Sequence, residues 1–360
     1  MRARTIVAAA TALAMLALGF MTGTGASPAG AQEGVEDPGF PYPVAGNFVG
    51  DDAEELFIYW FGPAGPDKLL TFAKDAAGTV STTAYPFPVN GYYQPVAGDF
   101  DGDGYDELLW YGFGTYPDYL WDFTSPTTVA SRRITVNGYY QPVAGDFTDD
   151  GADDIVWYGF GTDPDYLWEY NVGGSRTQRT LTINGSYQPL VGSFGSDATD
   201  DIFWYAYYAP DSDYRWDFLA GTTNYRSSSM PVNNYYYAFS LDIWNDGPGG
   251  SDIFWYGFGA QADYLWDFIG GVKYSYPDPV SGYYYPVVPG DFFGDGSDDV
   301  LWFLDPYFYG DRSINVWDHT LVNGALVRTR YRLSAESWFS ASAAAVTTTA
   351  APLGERTIPR

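Results

Sequence analysis

Residues 119–123 alternate in character, with Tyr119, Trp121 and Phe123 on one side of an extended segment and Leu120 and Asp122 on the other. A period of two marks a pleated strand. Three more strand-like runs flank it, at residues 93–100, 107–111 and 132–136, separated by Asp-Gly, Gly-Thr-Tyr-Pro and Asn-Gly. These are turn-forming sequences, so the unit reads as four antiparallel strands joined by short connections.

The unit recurs. VNGYYQPVAGDFDGDGYDELLWYGFGTYPDYLWDF (89–123) is nearly repeated at 136–170, with looser copies beginning at 182, 231 and 279 and a degraded first copy, FPYPVAGNF, at 40–48. Taking Asp99 as marker, equivalent residues are Asn47, Asp146, Ser193, Asp242 and Asp291, spaced by 52, 47, 47, 49 and 49 residues from Asn47 onward. A four-stranded unit of this length cannot bury both faces alone, so the copies must stack around an axis. The fold class expected is an all-β propeller of four-stranded antiparallel blades. Six copies predict six blades, and residues 334–346, which contain Trp338, would supply a closing strand or part of a seventh. Trp110, Trp157, Trp204, Trp255 and Trp302 repeat in the second strand and are core candidates.

Composition sharpens this picture. Trp 13, Tyr 33 and Phe 24 give 19% aromatic residues, which suits packed strands better than helices. Residues 1–31 combine a basic start, an apolar run from Ile6 to Phe20 and Ala29-Gly30-Ala31, the pattern of a secretory signal peptide. The domain plan is therefore a signal peptide at 1–31, a propeller at 32–346 and a disordered tail at 347–360, in a protein expected to be secreted. No later stretch is long and apolar enough for membrane insertion. Removing residues 1–31 takes Arg2 and Arg4 from 17 basic residues, leaving 15 against 45 acidic ones, a net charge of −30. Nucleic acid is then an unsuitable partner. Without cysteine, disulfides, thiolate metal sites and thiol nucleophiles are excluded.

The chemistry concentrates in an acidic turn after each first strand. Asp99, Asp101, Asp103 and Glu107 stand at its first, third, fifth and ninth places, with Gly104 at the sixth. Oxygen donors so crowded repel one another unless a hard cation neutralises them, and an all-oxygen set argues for Ca²⁺, with Mg²⁺ or Mn²⁺ as alternatives. Asp146, Asp150 and Asp154 keep the pattern around Gly151 with Thr148 at the third place; Asp291, Asp295 and Asp299 keep it around Gly296 with Phe293 there. Asp242, Asp246 and Asp252 surround Gly247 with two extra residues before the last acid. Ser193, Asp197 and Asp201, like Asn47, Asp51 and Glu55, lack the first carboxylate and the glycine. Solvated Asp-Gly turns without metal are the alternative for any single copy.

GDFDGDGYDELLW, GDFTDDGADDIVW and GDFFGDGSDDVLW resemble the calcium-binding loop of FG-GAP/VCBS repeats, found in integrin α-subunit propellers, many secreted bacterial proteins and some fungal lectins. The resemblance covers roughly residues 40–333. It implies a propeller with Ca²⁺ between the first and second strands of a blade, held here by Asp99, Asp101, Asp103 and Glu107, and it implies no single activity.

Strand alternation sends the acidic loops to one face of the disc. The opposite face collects the turns after the second strands and the blade-to-blade crossings, bringing Phe113, Tyr116, Phe160, Tyr207 and Phe258 near Tyr92, Tyr139, Tyr187, Tyr235 and Tyr283. Tyrosine-rich surfaces suit sugars or peptides, although the same rings can simply fill space between blades. His319 is the one histidine, no GxSxG turn accompanies it, and the acids recur in register as scaffold residues do. The expected function is a monomeric, non-enzymatic binding or adhesion module for carbohydrate or an extracellular protein. The alternative is an extracellular polysaccharide hydrolase or lyase using a carboxylate pair.

Overall fold

A computed structural model describes residues 41–50, 53–62, 66–159, 163–206, 212–304, 313–323, 325–334, 338 and 346–358. The described residues form six four-stranded antiparallel sheets in chain order, two of which gain a fifth strand. Blade one holds β1 (Tyr42–Gly46), β2 (Glu55–Tyr59), β3 (Lys68–Lys74) and β4 (Val80–Pro86); blade two β5 (Gln94–Gly98), β6 (Glu107–Tyr111), β7 (Asp118–Ser125) and β8 (Thr128–Ile134). Blade three holds β9 (Tyr140–Gly145), β10 (Asp154–Gly159), β11 (Asp165–Asn171) and β12 (Ser175–Leu181); blade four β13 (Tyr187–Gly192), β14 (Asp201–Ala206), β15 (Tyr214–Phe218) and β16 (Tyr225–Ser229). Blade five holds β17 (Tyr237–Leu241), β18 (Asp252–Tyr256), β19 (Tyr264–Ile269) and β20 (Val272–Pro277); blade six β21 (Tyr284–Gly290), β22 (Asp299–Leu304), β23 (Ser313–Val322) and β24 (Ala325–Ser334). First strands neighbour one another around the axis, and β21 returns to β1, so the ring is a six-bladed β-propeller.

The fourth strand of blade two starts earlier than its sequence suggests. Thr128 pairs with Ser125 and Ile134 with Asp118, so the hairpin turns tightly at residues 125–128 and the following residues belong to the crossing.

Between blades the core is aromatic. Trp110, Trp157, Trp204, Trp255 and Trp302 are each at most 1% exposed, and each meets neighbouring rings edge-on, as Trp110 does with Phe57 at 5.2 Å and Trp157 with Tyr111 at 5.2 Å. Edge-to-face geometry matches the positive ring edge to the negative ring face. Blade one carries Ile58 at the equivalent position, also fully buried.

Polar links repeat with the same order. Tyr59, Tyr111, Tyr158, Tyr205 and Tyr256 donate their hydroxyls to the carbonyls of Gly91, Gly138, Gly185, Asn234 and Gly282 at 2.6–3.0 Å. Four of these hydroxyls also accept the amide of Tyr93, Tyr140, Tyr236 or Tyr284. Each second strand thus holds the crossing that leaves its own blade. Blade six has Phe303 at this position, where no further crossing leaves for a next blade.

Asp67, Asp118, Asp165, Asp213 and Asp263 reinforce the arrangement. Each accepts one amide from the end of the second strand or the residue just after it and one from the crossing, as Asp118 does from Gly112 at 2.8 Å and Val136 at 2.7 Å.

The acidic-loop face carries a second ring of bonds. Asn47, Asp99, Asp146, Ser193, Asp242 and Asp291 each accept, through their carbonyl, the amide of Asp106, Asp153, Asp200, Ser251, Asp298 or Glu54 in the next blade. Five of them return their own amide to that partner's side chain. The sixth contact, Glu54 to Asp291, joins blade one to blade six.

The seam between blades one and six has no shared blade. Residues 347–360, expected to be a disordered tail, instead include β25 (Val346–Ala350), which pairs with β4, and β26 (Gly354–Ile358), which pairs with β24. Unpaired amides and carbonyls at a strand edge recruit an extended segment, and Thr347 and Thr348 match Thr83 and Thr82 hydroxyl to hydroxyl. Among the described residues no seventh sheet forms; Trp338 is fully buried at this seam, 6.3 Å from Phe72 and 6.4 Å from Phe303. The signal-peptide segment lies outside the described residues.

Tyr111→Phe removes a hydroxyl that serves two buried backbone groups while leaving the ring in place. Chemical denaturation should register a loss of about 1–3 kcal/mol, whereas Phe303→Leu should cost only packing and leave no polar group orphaned.

Candidate functional site

The loop between β5 and β6 bends at two left-handed residues, Gly102 at φ 74° and Gly104 at φ 94°. The bend turns three amides inward onto Asp99: Gly102 and Asp103 donate to Oδ1 at 2.7 and 3.1 Å, and Gly104 to Oδ2 at 2.9 Å. Three other loops repeat the conformation, with Asp149, Asn245 and Gly294 left-handed at the fourth place and Gly151, Gly247 and Gly296 at the sixth. Asp146 and Asp291 receive the amides of the fifth and sixth residues as Asp99 does. Asp242 receives that of Asn245 at 2.7 Å.

The loop places are not equivalent in depth. The last acids of the loops begin the second strands and are buried: ninth-place Glu107, Asp154, Asp201 and Asp299, and Asp252 at the eleventh place of its longer loop. Fifth-place acids sit at the loop tip and are exposed: Asp103, Asp150, Asp246 and Asp295. Oxygens of Asp99, Asp101 and Glu107 lie within 4.8 Å of one another, the one such acid triple among the described residues. Asp103 stays outside it, its Oδ1 accepting the Tyr105 amide at 3.0 Å. Thr148, Trp244 and Phe293 stand where Asp101 does, so the third carboxylate is missing from the other three loops, although Thr148 keeps a hydroxyl there.

Burial makes these carboxyls hard to ionise. Desolvation, followed by the Asp101 charge, pushes Glu107 up to about 9. Desolvation followed by Asp146 lifts Asp154 to about 9, and desolvation followed by Asp217 lifts Asp201 to about 8. Asp252 and Asp299 are held well above the usual carboxylate range, first by burial and then by Asp242 and Asp318 respectively. Asp101 Oδ1, Asp154 Oδ2, Asp201 Oδ2 and Asp252 Oδ1 are buried without a hydrogen-bond partner. An all-oxygen donor set with an orphaned buried oxygen fits a hard divalent cation at Asp99, Asp101 and Glu107.

An acid that the repeat pattern left unnoticed faces the same region. Asp122, in step with buried Leu120, lines a cavity of about 290 Å³ with Asp101, Glu107, Arg132, Gly173 and Gly174. Its counterparts Asp217, Asp267 and Asp318 act on Asp201, Asp252 and Asp299. The period-2 alternation of the third strand already placed Asp122 on the Leu120 side.

On the opposite face, crossing tyrosines lie over glycines of the preceding turn. A side chain at Gly114 would meet the Tyr139 hydroxyl at 2.9 Å, and one at Gly259 the Tyr283 hydroxyl at 2.7 Å. Tyr116, Tyr139, Tyr235, Phe258 and Tyr283 are 37–66% exposed. Tyr92 and Phe113 are half-buried, each 5.0 Å from a neighbouring ring, Phe61 and Tyr111. Tyr187 is a core residue, 5.9 Å from Trp204 and 5% exposed. The register explains it: Ser186 aligns with Tyr92, and Tyr187 with buried Tyr93. Phe160 and Tyr207 lie outside the described residues.

His319 is fully enclosed. Its Nδ1 contacts the Asp298 carbonyl at 2.8 Å, and its Nε2 accepts Arg328 Nε at 2.8 Å, so the ring is neutral. Burial, then the Arg328 charge, holds its pKa well below the usual range.

A scan against protein-family models returned no match to this chain, and a search of curated proteins returned none.

The pH dependence of the metal-free protein follows from the raised carboxyl pKa values. The folded state keeps protons on Glu107 and Asp154 up to about pH 9, while the unfolded chain releases them near pH 4. Between these values the folded state binds more protons, so stability falls as pH rises. Chelator-treated protein melted at steps from pH 5 to pH 9 should lose melting temperature steadily, and Glu107→Gln should flatten the slope.

Proposed function

We propose that this chain is a secreted, calcium-loaded propeller that acts as a recognition module, taking carbohydrate on the crossing face. The observation that carries the reading is the division of labour between the two faces. The acidic face concentrates buried carboxylates, several of which keep an oxygen without a hydrogen-bond partner. The crossing face presents five exposed rings, Tyr116, Tyr139, Tyr235, Phe258 and Tyr283, on turns anchored by the tyrosine and aspartate links.

Each part has a physical role. Calcium at Asp99, Asp101 and Glu107 supplies the charge that lets three neighbouring carboxylates ionise, and so fixes the loop that clasps blade two to blade three. Tyrosine offers a sugar an apolar plane and a hydroxyl together, at low cost in side-chain freedom. Asp67, Asp118, Asp165, Asp213 and Asp263 are consumed by backbone amides, and His319 has both ring nitrogens engaged, which supports binding over acid–base chemistry.

Thermal melting with and without chelator tests the metal arm. Calcium should raise the melting temperature, since an ion that binds only the folded state stabilises it, and Asp101→Asn should remove most of that response. A glycan array tests the recognition arm. Retention should be saturable and should be lost in a Tyr235→Ala/Phe258→Ala variant that melts like the parent. Absence of binding across a broad array, together with binding to an extracellular protein through the same rings, would redirect the ligand class from sugar to protein.

A further inference from the structure

Blade four repeats the architecture of blade two with its charges exchanged. Ser193 stands in the place of Asp99, Gly195 in that of Asp101, and Arg215 in that of Leu120. The equivalence is structural. Leu120 pairs with Leu109 and Arg215 with Phe203 in the same ladder position, and Arg215 lines a cavity of about 230 Å³ with Gly195, Asp197, Asp217, Gly270 and Gly271. This mirrors the cavity of blade two, lined by Asp101, Glu107, Asp122, Gly173 and Gly174.

The Arg215 guanidinium fills that slot. It is 8% exposed, donates NH1 to the carbonyls of Phe194 at 2.9 Å and Gly271 at 3.3 Å, and donates NH2 to Asp217 Oδ2 at 3.0 Å. Its Nε pairs with Asp217 Oδ1. Gly271 belongs to the blade-five hairpin, so the cation also bridges two blades.

Blade six reaches the same result by another route. Phe293 replaces the third-place acid, and Lys74 arrives from β3 of blade one. Its Nζ lies 2.9 and 3.0 Å from the two Asp318 oxygens, 3.7 Å from Asp295 Oδ2, and 4.8 Å from the Phe293 ring centre. The corresponding position over the blade-two loop is Val172. Phe72 packs on Phe292 as Tyr170 packs on Phe100, and Lys74 and Val172 each follow two residues later.

We propose that Arg215 and Lys74 are resident cations that take the place of metal in the loops of blades four and six, so that a divalent ion is excluded there and directed to the blade-two loop. Each sets a fixed positive charge beside its loop, hydrogen-bonded to the third-strand aspartate there, Asp217 or Asp318, and such a charge offsets the negative charge of the loop and repels a divalent ion. The contrast with blade two rests on the calcium reading above, but the role of the two side chains is testable without metal.

The full chain is melted in chelator and titrated with Tb³⁺, whose emission is sensitised by nearby tryptophan. Arg215→Met should lower the melting temperature in chelator by roughly 5 °C or more, calcium should not restore it, and Arg215→Lys should recover part of it. Rebuilding the donor set with Arg215→Leu, Ser193→Asp and Gly195→Asp should add one Tb³⁺ per chain, as should Lys74→Val with Phe293→Asp. Leu120→Arg should remove the ion at Asp99 and abolish the chelator response of that loop. An Arg215→Met protein that melts like the parent in chelator overturns the proposal, and so does a parent whose Tb³⁺ count drops on Asp197→Ala or Asp295→Ala. If the parent takes up no ion at all, the calcium reading fails, and the chelator melts of Arg215→Met and Arg215→Lys alone decide the role of the guanidinium.

Discussion

Carboxylates placed where water cannot solvate them are the constraint on which this molecule turns. An ionised carboxylate in an apolar interior is costly unless donors or cations surround it. The propeller meets this requirement in three ways. Third-strand aspartates such as Asp118 are satisfied by two backbone amides. First-place acids such as Asp99 are wrapped by the amides of their own loop. The last acids of the loops, such as Asp154 and Asp252, receive one amide each and keep an orphaned oxygen, and they are the groups that a cation would serve.

The first two solutions hold the ring together without metal. The tyrosine and aspartate links fix each of the first five blades to the crossing that leaves it, and a bond from the next blade to the carbonyl of the first-place residue spans all six junctions, reciprocated at five. This second ring is tolerant of sequence. Where blade four has Ser193 instead of an aspartate, its partner is Ser251, and the Ser193 amide donates to the Ser251 hydroxyl at 3.0 Å. Closure at the seam then needs no blade built from both chain ends, because β25 and β26 lie on blades one and six and Trp338 fills the gap between them.

Seen this way, departures from the repeat carry as much information as its matches. Phe303 replaces the linking tyrosine where no crossing follows. Arg215 appears where the first and third loop carboxylates are missing, and Lys74 where the third is. Tyr187 illustrates the opposite hazard, since a one-residue register shift exchanges a surface ring for a core one, which is the general consequence of a two-residue period.

The repeat, its four-strand content, the buried tryptophans and the six-bladed ring were all legible in the chain, because periodicity and turn chemistry are local properties. The acidic loops were legible for the same reason, down to the sixth-place glycine, although the left-handed fourth place filled by Asp149 and Asn245 was not. Which acids gather was decided only by folding. Asp103 and Asp101 are two residues apart, yet one faces solvent and the other joins Asp99 and Glu107. The placing of Lys74 against Asp318, 244 residues away, and of residues 346–358 against blades one and six likewise depends on ring closure. Contacts between segments far apart in sequence are set by the geometry of the closed ring, and no local pattern of residues encodes them.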